Sequence, residues 1–104
     1  VMPFYGAVSA AKAALESHVR QLALELAPQG VSVNAIRAGV TDTPAVRKIP
    51  IADMLLAEAR RRNPSGRLTE PDDVAGAIVA LALPGTRWIS GNVIGVDGAE
   101  DVTA

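Results

Sequence analysis

The sequence predicts an α/β fold, and three observations support this class. Two short apolar segments with strand character, 31–36 and 92–96, lie on either side of segments with helical periodicity. Because helices connect the two strands, we expect the strands to be parallel. Two strands are too few for a parallel sheet that is covered on both faces. The pattern therefore indicates the C-terminal part of a doubly wound parallel sheet whose first part is absent from residues 1–104. The missing strands belong either to a longer chain of which these residues are a fragment or to another chain.

The composition excludes several classes of function. The chain has 104 residues and a net charge of −1, which provides neither a nucleic-acid surface nor a polybasic membrane anchor. It has no cysteine, and its single histidine, His18, cannot form a metal site alone, so we expect no metal. No apolar run reaches the ~18 residues of a membrane span. Residues 1–3 show no leader pattern, and we expect a cytoplasmic location.

The first element is predicted to be a helix from Gly6 to Ala27. Pro3 suits the entry of this helix, and Pro28 with Gly30 marks its end. Apolar side chains recur at helical spacing and predict one continuous stripe, formed by Ala11, Leu15, Val19, Leu22 and Leu26. A face of this kind can pack on a sheet or on a second copy of the chain.

A candidate binding loop, residues 37–44, follows the strand predicted at 31–36. In open α/β sheets, ligands bind beyond the carboxyl ends of the strands. Gly39 would let the backbone approach a ligand closely, and Thr41 and Thr43 supply hydroxyls. The N–H groups of this loop can meet phosphate or amide oxygens.

The segment after the loop is predicted to be irregular at 45–50 and helical at 51–62. In the helix, Glu58 and Arg62 form an i,i+4 pair of favourable orientation. This connection either acts as a lid over an apolar substrate or is an ordinary surface segment.

The last third of the chain should contain one helix and the second strand. Thr69 is predicted to cap a helix that extends to Leu83. The strand at 92–96 is mostly apolar, so we expect it to be buried on both faces. Residues 100–104 are expected to form a loose tail.

Tyr5 and Lys12 are the candidate catalytic pair. They are seven residues apart, close to two turns, so both side chains lie on one helix face about 10 Å apart along the axis. The phenol can donate a hydrogen bond to developing negative charge, and the ammonium can hold a polar cofactor group. The spacing alone also fits a structural tyrosine beside a solvated lysine.

These residues resemble the short-chain dehydrogenase/reductase family. Its commoner subtype has Tyr-(x)3-Lys, whereas this chain has Val8 at the corresponding position. Tyr5 and Lys12 fit the Tyr-(x)6-Lys spacing of the enoyl-acyl-carrier-protein reductases. Further family-like patterns occur in order along nearly the whole chain: Glu25-Leu26-Ala27-Pro28, Gly30, Val33-Asn34-Ala35-Ile36, Gly39, Thr43, Gly66-Arg67, Pro71-Asp72-Asp73-Val74-Ala75, Ser90-Gly91 and Val96-Asp97-Gly98. Ala38 replaces a common proline and Ala99 a common glycine. Alanine is less suited than glycine to the turn expected at position 99.

The resemblance implies a Rossmann-like NAD(P)-binding reductase domain, of which residues 1–104 would be the C-terminal portion of a single domain. The G-x-G-x-x-G-type phosphate loop is not among these residues. The N-terminal nucleotide-binding part is therefore expected to be absent, and the isolated 104 residues are expected to be inactive and poorly folded.

The resemblance also implies a reaction. Hydride would pass from NADPH or NADH, with NADPH favoured by the likeness of residues 38–67, to the C=C of a trans-2-enoyl thioester. Tyr5 would hydrogen-bond the thioester oxygen, and Lys12 would hold the nicotinamide ribose. The backbone around Val40 and Thr41 would hold the nicotinamide carboxamide, with Gly39 in the same cofactor-binding loop and Thr43 near the diphosphate.

The implied partners follow from the same family. Apolar residues between 45 and 56 would line the acyl channel. Arg47, Lys48 and the run 60–62 could meet an acidic acyl carrier protein of fatty-acid synthesis, although a solvated charged face explains them as well. A homo-oligomer, dimer or tetramer, is expected.

Two other functions remain open. The first is a carbonyl or alcohol short-chain dehydrogenase/reductase, against which Val8 argues. The second is a non-catalytic member that binds nucleotide or serves as an assembly subunit, an interpretation that Val8 motivates.

Overall fold

The computed structural model describes residues 3–102. Within them, helices α1 to α4 and strands β1 and β2 follow one another as α1 (Gly6–Leu26), β1 (Ala35–Ala38), α2 (Pro44–Arg47), α3 (Ala52–Arg62), α4 (Pro71–Leu81) and β2 (Val93–Val96). Three 3-10 turns span Ala27–Gln29, Pro84–Thr86 and Glu100–Val102. The expectations for residues 1–2 and 103–104 lie outside the described residues.

The two strands form one sheet, and they are parallel. The Ala35 N–H donates to the Asn92 carbonyl at 2.9 Å. Four residues further along both strands, the Gly39 N–H donates to the Val96 carbonyl at 3.1 Å. Because the offset between the partners is the same at both ends, the strands run in the same direction. This confirms the predicted α/β class with a parallel sheet.

The described chain divides into two compact units. The first contains residues 3–35 and 83–94, and the second contains residues 36–82 and 95–102. Helix α1 belongs to the first unit, whereas α2, α3, α4 and the loop after β1 belong to the second.

In the first unit, α1 has the predicted bounds to within one residue. Val19, at the centre of the predicted apolar stripe, is buried at 6% exposure, whereas Leu15 and Leu22 are 52% and 42% exposed. The helix ends as expected, because Gly30 adopts the left-handed region at φ 74° and its N–H donates to Ala27. Only the centre of the stripe is therefore covered within residues 3–102.

The first strand begins later than predicted. Residues 31–34 precede it, and side chains take part in their pairing with the segment before the second strand. The Val33 N–H donates to Ser90 Oγ at 3.0 Å, and the Asn34 side chain donates to the Ile89 carbonyl at 2.8 Å. The Val33 carbonyl accepts the Gly91 N–H at 2.7 Å, and the regular ladder starts at Ala35. The second strand was predicted within one residue, but its residues are half-buried or exposed rather than buried on both faces.

The core of the second unit is small. Ala52 and Leu56 of α3 are buried, as is Leu68. Asn63, at the end of α3, is only 5% exposed and donates through Nδ2 to the Asp97 carbonyl at 3.0 Å. This bond attaches the end of α3 to the segment that follows β2.

One prediction about the segment after the loop needs correction. Residues 44–47 form the short helix α2 rather than an irregular stretch, because the Thr43 hydroxyl accepts the Val46 N–H at 3.2 Å. The helix predicted at 51–62 is confirmed as α3. Glu58 accepts two hydrogen bonds from Arg61, three residues on, and these bonds, with a smaller effect of the Arg62 charge, lower its pKa.

The beginning of α4 differs from the prediction. Glu70, not Thr69, is the capping residue, and its N–H donates to the Asp73 carboxylate at 2.7 Å in a capping box. Thr69 is buried and pairs with Thr41 in an isolated parallel bridge. The helix ends at Leu81 rather than Leu83.

Residues 100–102 were predicted to be a loose tail, but they form a 3-10 turn. Asp101 pairs with Arg37 of β1 at 3.3 Å, and the Glu100 carboxylate accepts a backbone hydrogen bond from Val40. The chain after β2 is therefore tied to β1 and to the loop that follows it.

Within residues 3–102, no helix combines the length and apolar character needed to cross a membrane. Over the same range, no group of three or more His, Cys, Asp or Glu side chains is placed to hold a metal ion.

Candidate active site

The predicted catalytic pair lies at the start of α1 in the first unit. Tyr5 is the residue immediately before the helix, and its backbone carbonyl accepts the Ser9 N–H at 2.8 Å. Its side chain makes no capping hydrogen bond and is 40% exposed. Lys12 lies within the helix, so the helical phase assumed for the pair holds from Gly6 onward.

The surface that carries this pair is open. Every residue from 3 to 15 is exposed, including Val8 at 44%. Val8 has no group that can donate a proton, and it occupies the position where the commoner subtype has its tyrosine. The assignment of Tyr5 and Lys12 as catalytic residues stays a prediction.

Gly39 of the predicted binding loop is enclosed by its own chain. A Cβ at this position would come within 2.9 Å of Asp97 Cβ and 3.1 Å of its Cα, and would collide with the Thr69 hydroxyl. The sequence indicated close approach of a ligand to this glycine. The structure shows close approach of Thr69 and Asp97 instead, so packing within the chain already requires glycine.

Both backbone groups of Val40 are bonded within the chain. Its N–H donates to the two oxygens of Glu100 at 3.1 and 3.3 Å. Its carbonyl accepts the Thr69 N–H at 3.2 Å. Sequence reasoning missed Glu100, because no local pattern connects it with a loop 60 residues earlier.

Thr41 presents its backbone differently. In a parallel bridge one residue bonds to the two neighbours of the other. Because the Thr69 N–H bonds to the Val40 carbonyl, the N–H and carbonyl of Thr41 itself face away from Thr69. Among residues 3–102, no protein group hydrogen-bonds these two atoms. The Thr41 hydroxyl donates to the Gly39 carbonyl at 2.8 Å, which tightens the turn.

The end of the loop is held by an ion-pair cluster. Arg47 donates two hydrogen bonds to Asp42, at 2.8 and 2.6 Å, and a third to Asp53 at 2.6 Å. The bonds from Arg47 lower the pKa of the Asp42 carboxyl, and those from Asp42 raise the pKa of Arg47. Thr43 lies next to this cluster, and its hydroxyl already accepts the Val46 N–H.

Two cavities of the second unit adjoin the loop. One, of about 230 Å³, is lined by Thr41, Asp42, Arg60 and Thr69, among others. The other, of about 340 Å³, is lined by Val40, Leu55, Glu58, Ala59, Arg62, Glu100 and Asp101. The structure therefore places Gly39, Val40, Thr41 and Thr43 in one loop that is held by hydrogen bonds within the chain and has cavities beside it.

The segment after β2 supports this loop through an unusual turn. Gly98 and Ala99 both adopt the left-handed region, at φ 60° and 72°. The Asp97 carboxylate holds this turn by accepting the Ala99 N–H at 3.1 Å and the Asp101 N–H at 3.2 Å. Ala99 thus occupies a conformation that favours glycine, and the turn forms despite the replacement noted in the sequence.

Comparison with known proteins identifies the family. A family model described as enoyl-(acyl carrier protein) reductase matches residues 1–99. The chain is 39% identical over 97 residues to the enoyl-[acyl-carrier-protein] reductase [NADH] FabI of Aquifex aeolicus, which covers 93% of this chain and 36% of that protein. It is 41% identical over 90 residues to the cis-4-hydroxycyclohexanecarboxylate dehydrogenase of Sinomonas cyclohexanicum, covering 86% of this chain and 35% of the relative.

The solved structures agree with these relatives. The Bacillus cereus enoyl-acyl carrier protein reductase with NADP+ and indole naphthyridinone superposes with a TM-score of 0.88 at 33% identity, covering 98% of this chain and 40% of that one. The chain thus spans between a third and two fifths of the length of these proteins. The family match, the sequence identities and the superposition show that the chain belongs to the short-chain dehydrogenase/reductase family, in the group described by the enoyl-(acyl carrier protein) reductase model.

Proposed function

We propose that the protein carrying this chain is an enoyl-acyl-carrier-protein reductase of fatty-acid synthesis that reduces the C=C of a trans-2-enoyl thioester. The observation that carries this proposal is the placement of Tyr5 at the start of α1 with Lys12 seven residues later, while the intervening tyrosine position holds Val8. The family match over residues 1–99 and the enoyl reductases among the relatives support the same choice.

In this proposal the phenol of Tyr5 donates a hydrogen bond to the thioester oxygen as negative charge develops on it. Its side chain is suited to this role, because it is 40% exposed and makes no capping bond to its own helix. Lys12 contributes positive charge and hydrogen-bond donors for the ribose hydroxyls of a nicotinamide cofactor. The cofactor supplies the hydride when it is bound.

Thr41 is the loop residue whose backbone best fits the carboxamide of that cofactor. An amide needs one donor and one acceptor, and the Thr41 N–H and carbonyl are both unbonded by protein groups within residues 3–102. Val40 fits less well, because Glu100 and Thr69 already engage its N–H and carbonyl. Thr43 is proposed to lie near the diphosphate, where its hydroxyl proton remains available for donation while the oxygen caps α2.

The cofactor is proposed to be NADPH or NADH. The relatives include one protein named for NADH and one structure with NADP+. Our preference for NADPH rests on the likeness of residues 38–67 to one branch of the family. Side-by-side assays with both cofactors will decide between them.

The acyl chain is proposed to contact the connection formed by α2 and α3. Ala52 and Leu56 are buried in the core of the second unit, so they are unsuited to this role. The three most exposed large apolar side chains of this connection are Ile49, Ile51 and Met54, at 40%, 54% and 71% exposure. We assign the acyl contacts to these three residues.

An acidic acyl carrier protein remains a proposed partner. Two of the predicted basic residues are less suited to contact the carrier protein, because they already form ion pairs within the chain. Arg47 is paired with Asp42 and Asp53, and Arg61 with Glu58. Lys48 and Arg60 then carry the proposal, and the alternative of a solvated charged face stands beside it. The predicted homo-oligomer, dimer or tetramer, likewise stays a proposal.

A carbonyl or alcohol dehydrogenase is the second candidate. The likeness to a hydroxycyclohexanecarboxylate dehydrogenase favours it, and Val8 in place of the usual tyrosine argues against it. Product analysis separates the candidates. The complete protein is incubated with NADPH or NADH and either a trans-2-enoyl thioester or a panel of ketones, and separately with NADP+ or NAD+ and a panel of alcohols. We expect formation of the saturated thioester, and turnover of the ketones or alcohols alone would support the second candidate.

A third possibility is a family member that binds nucleotide without catalysis. The same assays test it, because cofactor binding without turnover of either substrate class would contradict the proposed reduction. A fluorescence titration with NADPH and with NADH supplies the binding measurement.

A further inference from the structure

Glu100 bonds the backbone of the candidate binding loop through its carboxylate. The two carboxylate oxygens lie 3.1 and 3.3 Å from the Val40 nitrogen, and 60 residues separate the partners. Val40 directly precedes Thr41, whose N–H and carbonyl face away from Thr69. A charge-assisted bond at this point fixes the peptide plane next to the one that the proposed cofactor contacts.

The turn that delivers Glu100 to the loop is strained. Ala99 has φ 72°, a conformation that costs an alanine free energy relative to glycine. The Asp97 carboxylate holds this turn by accepting the N–H groups of Ala99 and Asp101. The chain therefore maintains an unfavourable backbone conformation at the residue that immediately precedes Glu100.

Glu100 acts together with the other bonds of the loop. Gly39 is enclosed by Thr69 and Asp97, and its N–H is bonded to the Val96 carbonyl. The Val40 carbonyl is bonded to the Thr69 N–H. Rotation of the peptide that carries the Val40 N–H is opposed by two bonds: the Glu100 carboxylate accepts its N–H, and the Thr41 hydroxyl donates to the Gly39 carbonyl of the same peptide.

We propose that Glu100 is a positioning residue that holds the Val40 peptide and thereby presents the Thr41 N–H and carbonyl to the carboxamide of the nicotinamide cofactor. This inference rests on the proposed function for its cofactor, but the Val40–Glu100 contact itself does not. Glu100 acts through Val40 and does not touch the cofactor.

The test uses three variants of the complete protein. Glu100→Ala removes the acceptor, Glu100→Gln keeps a neutral acceptor, and Asp101→Ala removes a carboxylate of the same 3-10 turn that pairs with Arg37 instead of the loop. Residue-resolved hydrogen–deuterium exchange of the Val40 amide is measured without cofactor. Dissociation constants for NADPH and NADH are measured by fluorescence titration, and kcat and KM by steady-state kinetics.

We expect Glu100→Ala to accelerate exchange of the Val40 amide by about tenfold and to weaken cofactor binding by about three- to tenfold. The KM for the cofactor should rise by a similar factor while kcat changes less. Glu100→Gln should keep Val40 exchange and cofactor affinity close to the wild-type values, because it retains an acceptor. Asp101→Ala should match the wild type in both measurements.

An unchanged exchange rate of the Val40 amide in Glu100→Ala would contradict the hydrogen bond between Val40 and Glu100. Faster exchange with unchanged cofactor affinity would overturn the positioning role. If the wild-type protein binds neither NADPH nor NADH, the proposed function fails together with the positioning role, and the exchange measurement still shows whether Glu100 holds the loop.

Discussion

Arg47 donates two hydrogen bonds to Asp42, at 2.8 and 2.6 Å, and so joins the end of the candidate binding loop to α2. A third bond, to Asp53, extends the contact to the first turn of α3. Isolated surface ion pairs contribute little to stability, but this arrangement is bidentate and part of a cluster. We therefore assign it a role in holding the loop and the following helices in one arrangement.

Replacing Arg47 by alanine should loosen this arrangement. We expect the KM for the enoyl thioester to rise by about three- to tenfold, because the charge-assisted bonds between the loop and both helices are lost. Arg47→Lys should give an intermediate value, since lysine keeps the charge but cannot bond Asp42 bidentately. Steady-state kinetics of the complete protein measure the effect.

Arg61→Ala is the matched control, because Arg61 makes a similar bidentate contact with Glu58 on α3. We expect this variant to match the wild type in KM. Equal KM values for Arg47→Ala and Arg61→Ala would remove the assigned role of Arg47.

Adding one methyl group at Gly39 should disturb the loop. The new Cβ would collide with the Thr69 hydroxyl and press on Asp97, so we expect Gly39→Ala to lower the free energy of unfolding by about 1–3 kcal/mol. Thermal or urea unfolding measures this change.

The control substitution should change the free energy of unfolding in the opposite direction. Gly76 lies inside α4, and a Cβ added there would meet nothing within 4 Å, so Gly76→Ala should raise the free energy of unfolding by about 0.5–1 kcal/mol. A Gly39→Ala protein as stable as the wild type would show that the enclosure of Gly39 is looser than described.

Acid should weaken the start of α4. The two hydrogen bonds from Arg67 and the one from the Glu70 N–H lower the pKa of Asp73 from 3.8 to about 2. Because the pKa is lower in the folded state, the charged carboxylate stabilises the fold fully above pH 3.8, and this contribution is lost as the pH falls towards 2.

The measurement compares thermal unfolding of the wild type and Asp73→Asn from pH 6 to pH 2. We expect the wild type to be more stable at pH 6 and the difference to shrink between pH 3.8 and about 2. Asp72→Asn is the control, because Asp72 lies in the same first turn but outside the capping box. A stability difference that is constant across this range would contradict the assigned role of the Asp73 charge.

The parts of the fold that the sequence predicted are those with strong local patterns. Helix α1 follows from regular apolar spacing and from the Pro28–Gly30 stop, and β2 from an apolar run between two turns. The predicted parallel order followed from the helices between the strands, and the ladder confirms it.

The parts that differ depend on contacts between distant residues. Val33 and Asn34 look like strand residues, but Ser90 and Ile89 bond them before the ladder begins. Thr69 is of a residue type that often caps helices, yet it is buried and pairs with Thr41. Neither partner is visible in a local sequence pattern.

The candidate site shows the same division. Gly39, Val40, Thr41 and Thr43 were predicted as one loop, and the structure places them in one. The sequence could not show that Val40 is bonded on both sides, because one partner is Glu100 in a segment predicted to be loose. The backbone of Thr41 is distinguished from that of Val40 only by these long-range bonds.

The most direct test of the proposed reaction is the turnover of a trans-2-enoyl thioester by Tyr5→Phe in the complete protein. The substitution removes one hydroxyl from a partly exposed side chain and leaves the backbone bond to Ser9 in place. We expect kcat to fall by about 100-fold or more, with the NADPH and NADH dissociation constants within about twofold of the wild type. A kcat equal to that of the wild type would contradict the assignment of Tyr5 as the hydrogen-bond donor to the reacting oxygen.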